Sequence, residues 1–274
     1  MSIKNLLIAY NATEATNAAL ATALLMAEKY DAHLTGVLAH GGPRVHSSAE
    51  PWITSEIREM IAKSTQKACA GIAKSFDQRV ASFESKDNVH WLDISGEANA
   101  SVMRCAHYFD LVVMGQYEDL DDKQYLALHP EIIARQSGKP VIIVPKSHDA
   151  ESLIPRSVVA WDGRRTSARA LSDAMPILET HEQVTVVSVG ESADSGTSGL
   201  DIVAHLKRHG VNAEKVTIKR AGTIGKTILG YCDKVGAGLL VMGAYEHSKL
   251  SEDILGGVTN DVLENANLPV LMSH

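Results

Sequence analysis

Short apolar runs alternate with longer amphipathic stretches from one end of the chain to the other. Leu6-Leu7-Ile8-Ala9, Val112-Val113-Met114, Val141-Ile142-Ile143-Val144, Val158-Val159-Ala160 and Leu239-Leu240-Val241-Met242 carry no polar alternation. Unbroken apolar runs of this length suit strands buried on both faces, as in a parallel sheet with helices on each side. The stretches between them place apolar residues at helical spacing, as Ala19, Leu20, Ala23, Leu24 and Ala27 do. The pattern predicts strands over 5–10, 34–39, 88–94, 111–115 and 141–145, and helices over 13–30, 51–80, 97–108 and 126–137. It continues with strands over 157–161, 184–189, 214–219, 238–242 and 269–272. A shorter helix over 197–209 follows the Ser/Gly-rich segment Glu191 to Gly199.

The two halves repeat one another. Leu7-Ile8-Ala9 aligns with Val158-Val159-Ala160, and Ala19-Leu20 with Ala170-Leu171. Val112-Val113-Met114-Gly115-Gln116-Tyr117-Glu118 aligns with Leu240-Val241-Met242-Gly243-Ala244-Tyr245-Glu246, and Lys139-Pro140-Val141 with Leu268-Pro269-Val270. Four landmarks in the same order imply duplication. The expected division is 1–149 and 150–274, within the polar stretch Lys146 to Ser152. Each unit reads as an α/β, five-stranded, parallel-sheet, doubly wound domain. In such sheets ligands bind beyond the carboxyl ends of the strands, where the strand order reverses.

The stretch from Leu239 to Met272 is the most suggestive. A buried strand leaves through Gly243, and the pair Gly256-Gly257 opens a helix continuing through Val258 and Thr259. Backbone N–H groups at a glycine-rich helix start can hold an anion. This layout resembles the C-terminal signature of the universal stress protein family: a glycine, two residues, a glycine, nine residues, then glycine and Ser/Thr. Gly243 and Gly256 are in register, while Glu246 replaces the middle glycine and Gly257 the hydroxyl residue.

The resemblance covers essentially the whole chain and implies two tandem Rossmann-like, adenine nucleotide alpha hydrolase-like domains. It implies a non-enzymatic stress-response regulatory or protective protein, with ATP or another adenine nucleotide in the second unit only. Ala160, Asp162 and Ser188 would flank the adenine side; Met242, Gly243, Gly256, Gly257, Val258 and Thr259 would lie around ribose and phosphates. It also implies an intramolecular pseudo-dimer of the two units through their last strands, with homodimerisation open. Glu246 would oppose a phosphate by about 1–4 kcal/mol at 4 Å, a sign that Mg2+ shared between the two would reverse. Asp162 also reads as a cap for the helix near Thr166, a role that can coexist with ligand contact. Glu246 also reads as a solvated loop residue, and so does Glu118. Gly256-Gly257 could serve only helix packing, and Thr259 could bond its own backbone.

The first unit reads as degenerate. Asn11 stands for Asp162, Ala127-Leu128 for the glycine pair, and Glu118, Asp119, Asp121 and Asp122 crowd the mouth. Gly222-Thr223-Ile224-Gly225-Lys226-Thr227 imitates a P-loop ending, but Arg220 occupies the position of the required first glycine, so it reads as a helix start. His205 and His209 share a helical spacing with no third ligand evident, so no metal set is read.

Net charge of −7 with no basic run disfavours nucleic acid and anionic membranes. Three scattered cysteines fit a reducing compartment, and they read as packing residues rather than nucleophiles. With no signal-peptide core and no run near the roughly 18 apolar residues of a membrane helix, a cytoplasmic location is expected. The remaining classes are a binding module for a non-nucleotide ligand or protein partner, and an enzyme on the same fold, such as an adenylating or pyrophosphatase relative or a slow ATPase. The enzyme reading lacks a Ser/Gly-rich phosphate loop after either first strand, where the chain has AYNATEAT and AWDGRRTS.

Overall fold

The computed structural model of the chain describes residues 2–41, 54–149, 151–190, 200–244 and 257–274. The first unit runs β1 (Asn5–Ala9), α1 (Glu14–Tyr30), β2 (His33–His40), α2 (Ser55–Val80), β3 (Val89–Ser95), α3 (Ala98–Ala106), β4 (Leu111–Gly115), α4 (Pro130–Gln136) and β5 (Val141–Val144). The second runs β6 (Arg156–Ala160), α5 (Arg165–Leu178), β7 (Gln183–Val189), α6 (Ile202–Arg208), β8 (Ala213–Ile218), α7 (Ile224–Val235), β9 (Leu239–Gly243), α8 (Val258–Asn265) and β10 (Val270–Ser273).

Every strand predicted from the apolar runs is present, within about two residues at each end. The helix expected over 126–137 is broken. A 3-10 turn covers Asp121–Leu126, and α4 begins only at Pro130. The proline ring disfavours helical backbone at His129, and the missing proline N–H is harmless only in a first turn, so the helix must restart there.

Strand order within each unit is 3-2-1-4-5, and the units share one ten-stranded sheet, β3-β2-β1-β4-β5-β10-β9-β6-β7-β8. All pairings inside a unit are parallel. Between the units β5 and β10 pair antiparallel, Ile143 opposite Val270 and Val141 opposite Met272. These strands are apolar on both faces and fully buried, because each continues the partner's sheet. The pleat sorts alternate residues into two cores. Leu6, Ile8 and Tyr10 join a core with α1, α2, α5 and α6, while Leu7 and Ala9 join one with α3, α4, α7 and α8. The strand order reverses between β1 and β4, and again between β6 and β9, which creates one crevice per unit.

Candidate functional site

β6 and β9 are hydrogen-bonded neighbours, Val159 opposite Val241. Their carboxyl ends therefore bring Ala160 and Asp162 beside Met242 and Gly243. Ser188 is one strand further out, where Val187 pairs with Ala160. It is buried, and its hydroxyl donates to the Trp161 carbonyl at 2.9 Å. Gly257 is the N-cap residue of α8, followed by Val258, half-buried, and Thr259, buried. Glu246 and Gly256 lie outside the described residues.

Asp162 is a cap. Its Oδ1 accepts from the Arg164 N–H at 3.0 Å and from the Ser167 hydroxyl at 2.6 Å, closing the turn into α5. The first unit builds the same turn with an uncharged residue. Asn11 Oδ1 accepts from the Thr13 N–H at 3.3 Å and from Thr16 Oγ1 at 3.1 Å. The residue after each is left-handed, Ala12 with φ 65° and Gly163 with φ 75°, so glycine relaxes in the second unit a turn that alanine strains in the first.

The glycine that ends β9 has a packing task as well. A Cβ on Gly243 would lie 2.6 Å from the Thr166 carbonyl carbon and 2.7 Å from the Ser167 nitrogen. Gly115 repeats this against Ala15 and Thr16, at 2.6 and 2.7 Å. Both glycines let the first helical turn of their unit press onto the end of the fourth strand. Gly257, by contrast, has nothing within 4 Å of its missing Cβ among the described residues.

The place where an anion would sit is described in the first unit, while its counterpart around Glu246 lies outside the described residues. In the first unit Glu118 is not the solvated side chain its sequence suggests. Its Oε2 accepts from the Ala15 N–H at 3.0 Å, so the chain's own carboxylate occupies the positive end of α1. The 3-10 turn is tied down beside it, with the Asn11 amide donating to the Leu126 carbonyl at 3.1 Å, and Leu126, Ala127 and Leu128 are buried. A signal for Glu118 existed in its fixed offset from Gly115, but the partner amide is distant in sequence.

Trp161 is a residue that nothing in the sequence pattern singles out. It follows β6, and its indole Nε1 is buried with no hydrogen-bond partner among the described residues. At the matching place the Tyr10 hydroxyl bonds Asn17 Oδ1 at 2.8 Å and Ser75 Oγ of α2 at 2.9 Å. Among the described residues the second unit has the short α6 where the first has α2, and the indole donor is left unpaired.

Other candidates resolve plainly. Thr223 caps α7, and Asp261 of α8 accepts from the Thr223 hydroxyl and, at 3.2 Å, from the Lys226 N–H, so the glycine-rich GTIGKT is a helix start held by an internal carboxylate. His205 and His209 are exposed on α6, their rings 4.9 Å apart. Cys232 is buried, and burial with the nearby Asp233 pushes its thiol up to about 12, which removes it as a nucleophile at neutral pH. No helix among the described residues is long and apolar enough to cross a membrane.

Comparison with known proteins gives a consistent answer. The model of the universal stress protein family matches residues 155–274. A universal stress protein of Synechocystis sp. is 26% identical over 179 residues, an alignment covering 60% of this chain and 57% of that relative. Among solved structures, a universal stress protein from Archaeoglobus fulgidus DSM 4304 superposes with a TM-score of 0.72 at 15% identity, covering 99% of this chain and 96% of that one. A protein of unknown function from Pseudomonas aeruginosa PAO1 gives 0.56 at 14% identity, with 99% and 92% covered. At these identities the two structures speak for the fold alone.

Proposed function

With residues 155–274 belonging to the universal stress protein family, we propose that this chain is a non-enzymatic stress-response protein whose second unit holds an adenine nucleotide at the β6–β9 crevice. The described wall of the second crevice, at Asp162 and Trp161, carries the reading. In the first unit Glu118 already takes the α1 amide that an anion would use. In the second unit the turn into α5 uses one oxygen of Asp162 and leaves Oδ2 for a ligand, and the Trp161 indole N–H has no partner among the described residues.

In this reading Ala160, Asp162, Trp161 and Ser188 form the adenine side. Met242, Gly243, Gly257, Val258 and Thr259 border the phosphate side together with Gly256. Gly257 contributes a backbone amide at the start of α8, where the helix dipole favours negative charge. Mg2+ belongs to the proposal through Glu246, whose carboxylate would repel a phosphate unless a hard cation joined them. Bound ATP would supply a signal of nucleotide status. The family's phosphate-side hydroxyl is absent here, and no paired acid and base flank the crevice among the described residues, which supports a sensor over a catalyst.

The test is titration of the full chain with ATP, with and without Mg2+, following indole emission alongside equilibrium dialysis. Saturable, Mg2+-dependent binding is expected, with the emission change abolished in Trp161→Phe. Gly257→Ser restores a hydroxyl and should tighten binding about two- to tenfold, the worth of one hydrogen bond. Dialysis showing no saturation at millimolar ATP would refute the proposal.

A further inference from the structure

The last residue of β2 is a histidine, and the pleat decides what it meets. Gly36 pairs with Trp91 and Leu38 with Asp93. Alternate residues of neighbouring strands share a face, so Gly36, Leu38 and His40 lie on the same side of the sheet as Trp91 and Asp93. That is the side covered by α2, whose buried stripe is Cys69, Ile72 and Phe76. A Cβ on Gly36 would come within 2.6 Å of the Phe76 ring and 2.8 Å of Trp91. Glycine there admits Phe76 against the strand, with its ring centroid 4.7 Å from that of Trp91.

This contact fixes the position of Cys69. It stands two helical turns before Phe76, about 10 Å along the helix. A helix that crosses over between parallel strands runs back against them, so those 10 Å correspond to about three strand residues beyond Gly36 at roughly 3.3 Å each. The thiol is thereby carried to the end of β2. Ligand atoms of His40, Cys69 and Asp93 lie within 4.8 Å of one another.

The bare cluster is poorly satisfied. His40 Nε2 is 2.9 Å from Asp93 Oδ1, but Nδ1 of the same ring is buried with no hydrogen-bond partner among the described residues. Cys69 is buried beside them. A cation would draw the nitrogen, sulfur and oxygen donors together around one centre.

We propose that His40, Cys69 and Asp93 form a site for a Zn2+-class divalent ion, with a fourth position open to water or an outside ligand. Nitrogen, sulfur and oxygen donors together suit a borderline-soft metal and disfavour Mg2+ and Ca2+, which take oxygen ligands. Zinc bonds of about 2.0–2.3 Å in a tetrahedron separate ligand atoms by about 3.3–3.6 Å. The His40–Asp93 pair must open by about half an ångström to meet this, a motion within side-chain rotation. On binding, the sulfur–metal bond forms as the Cys69 thiol proton passes to solvent. The Asp93 side chain is 47% exposed, which gives the ion an entry path and leaves the fourth position wet.

The second unit lacks this set. By strand register, Gly190 stands at the place of His40 and Thr217 at that of Asp93. The unit whose crevice is closed to anions thus has a cation site of its own, independent of the nucleotide reading.

The test uses the full chain, stripped with a chelator and titrated with Co2+ as a spectroscopic probe. One tetrahedral cobalt per chain with a thiolate-to-metal charge-transfer band is expected, displaced by equimolar Zn2+ and unaffected by excess Mg2+. Cys69→Ser should abolish the band, and Cys105→Ser should leave it. Asp93→Asn, at a half-exposed position that the fold tolerates, should weaken cobalt at least tenfold and remove the Zn2+-dependent rise in melting temperature. Absence of the band in the wild-type chain, its persistence in Cys69→Ser, or unchanged affinity in Asp93→Asn would overturn the proposal.

Discussion

Replacing Gly243 by alanine separates two reasons for a glycine at the end of β9. The added methyl would stand 2.6 Å from the Thr166 carbonyl carbon and Oγ1 and 2.7 Å from the Ser167 nitrogen. Ordinary contact begins at about 3.5 Å, so the first turn of α5 must retreat by most of an ångström. Two of the three clashing atoms belong to backbone, which no side-chain rotation relieves. Overpacking of this kind costs about 1–3 kcal/mol. For a chain of this size each kcal/mol lowers the melting temperature by about 2–4 °C, giving a fall between roughly 2 and 12 °C. Gly115→Ala meets Ala15 and Thr16 at the same distances and should lose as much, although no nucleotide is proposed for its unit. Gly257→Ala, with open space around its Cβ, should stay within about 1 kcal/mol of the wild type. Thermal unfolding followed by circular dichroism measures all three. If Gly243→Ala melts with the wild type yet loses ATP binding, the glycine serves ligand approach and the packing argument is wrong.

Acidification should loosen the seam between α1 and α5. Burial, and to a lesser degree Lys29, lowers the His181 pKa to about 4, while Ser157 Oγ lies 2.7 Å from its Nδ1. The unfolded chain takes up this proton near pH 6.5 and the folded chain only near 4. Stability from this group is therefore full above about pH 6.5 and falls progressively as pH drops toward 4. The whole gap is worth about 3 kcal/mol, reduced to about 1–2 because the ring is partly solvated. Urea midpoints between pH 7 and 4 check the slope, and His181→Asn should flatten it. Glu118→Gln keeps the shape of the plug but removes its charge at the α1 amide. It should lower stability by about 0.3–1 kcal/mol, less in high salt, as melting at two ionic strengths will reveal.

The alternation of apolar runs and helical stretches was legible because it is local. A strand buried on both faces must be apolar throughout, and a helix repeats its buried face every three to four residues. The duplication was legible for the same reason, as was the family signature around Gly243. Pro130 could have been read as a helix start, since its constraint on His129 is also local. What only the tertiary structure decided are contacts between residues far apart in the chain. The joining of two sheets through β5 and β10 depends on the faces left over once each unit has folded. Gly115 and Gly243 are set against helix backbone by docking distance, and Glu118 finds Ala15 across a crevice. Trp161 Nε1 is buried with no hydrogen-bond partner among the described residues, which no local pattern announces. His40, Cys69 and Asp93 come from two strands and a helix, with nothing in their spacing to relate them. Propensity and periodicity act over a few residues, whereas a hydrogen bond or a metal ligand set is decided at a scale of about 3 Å by strand register and helix docking.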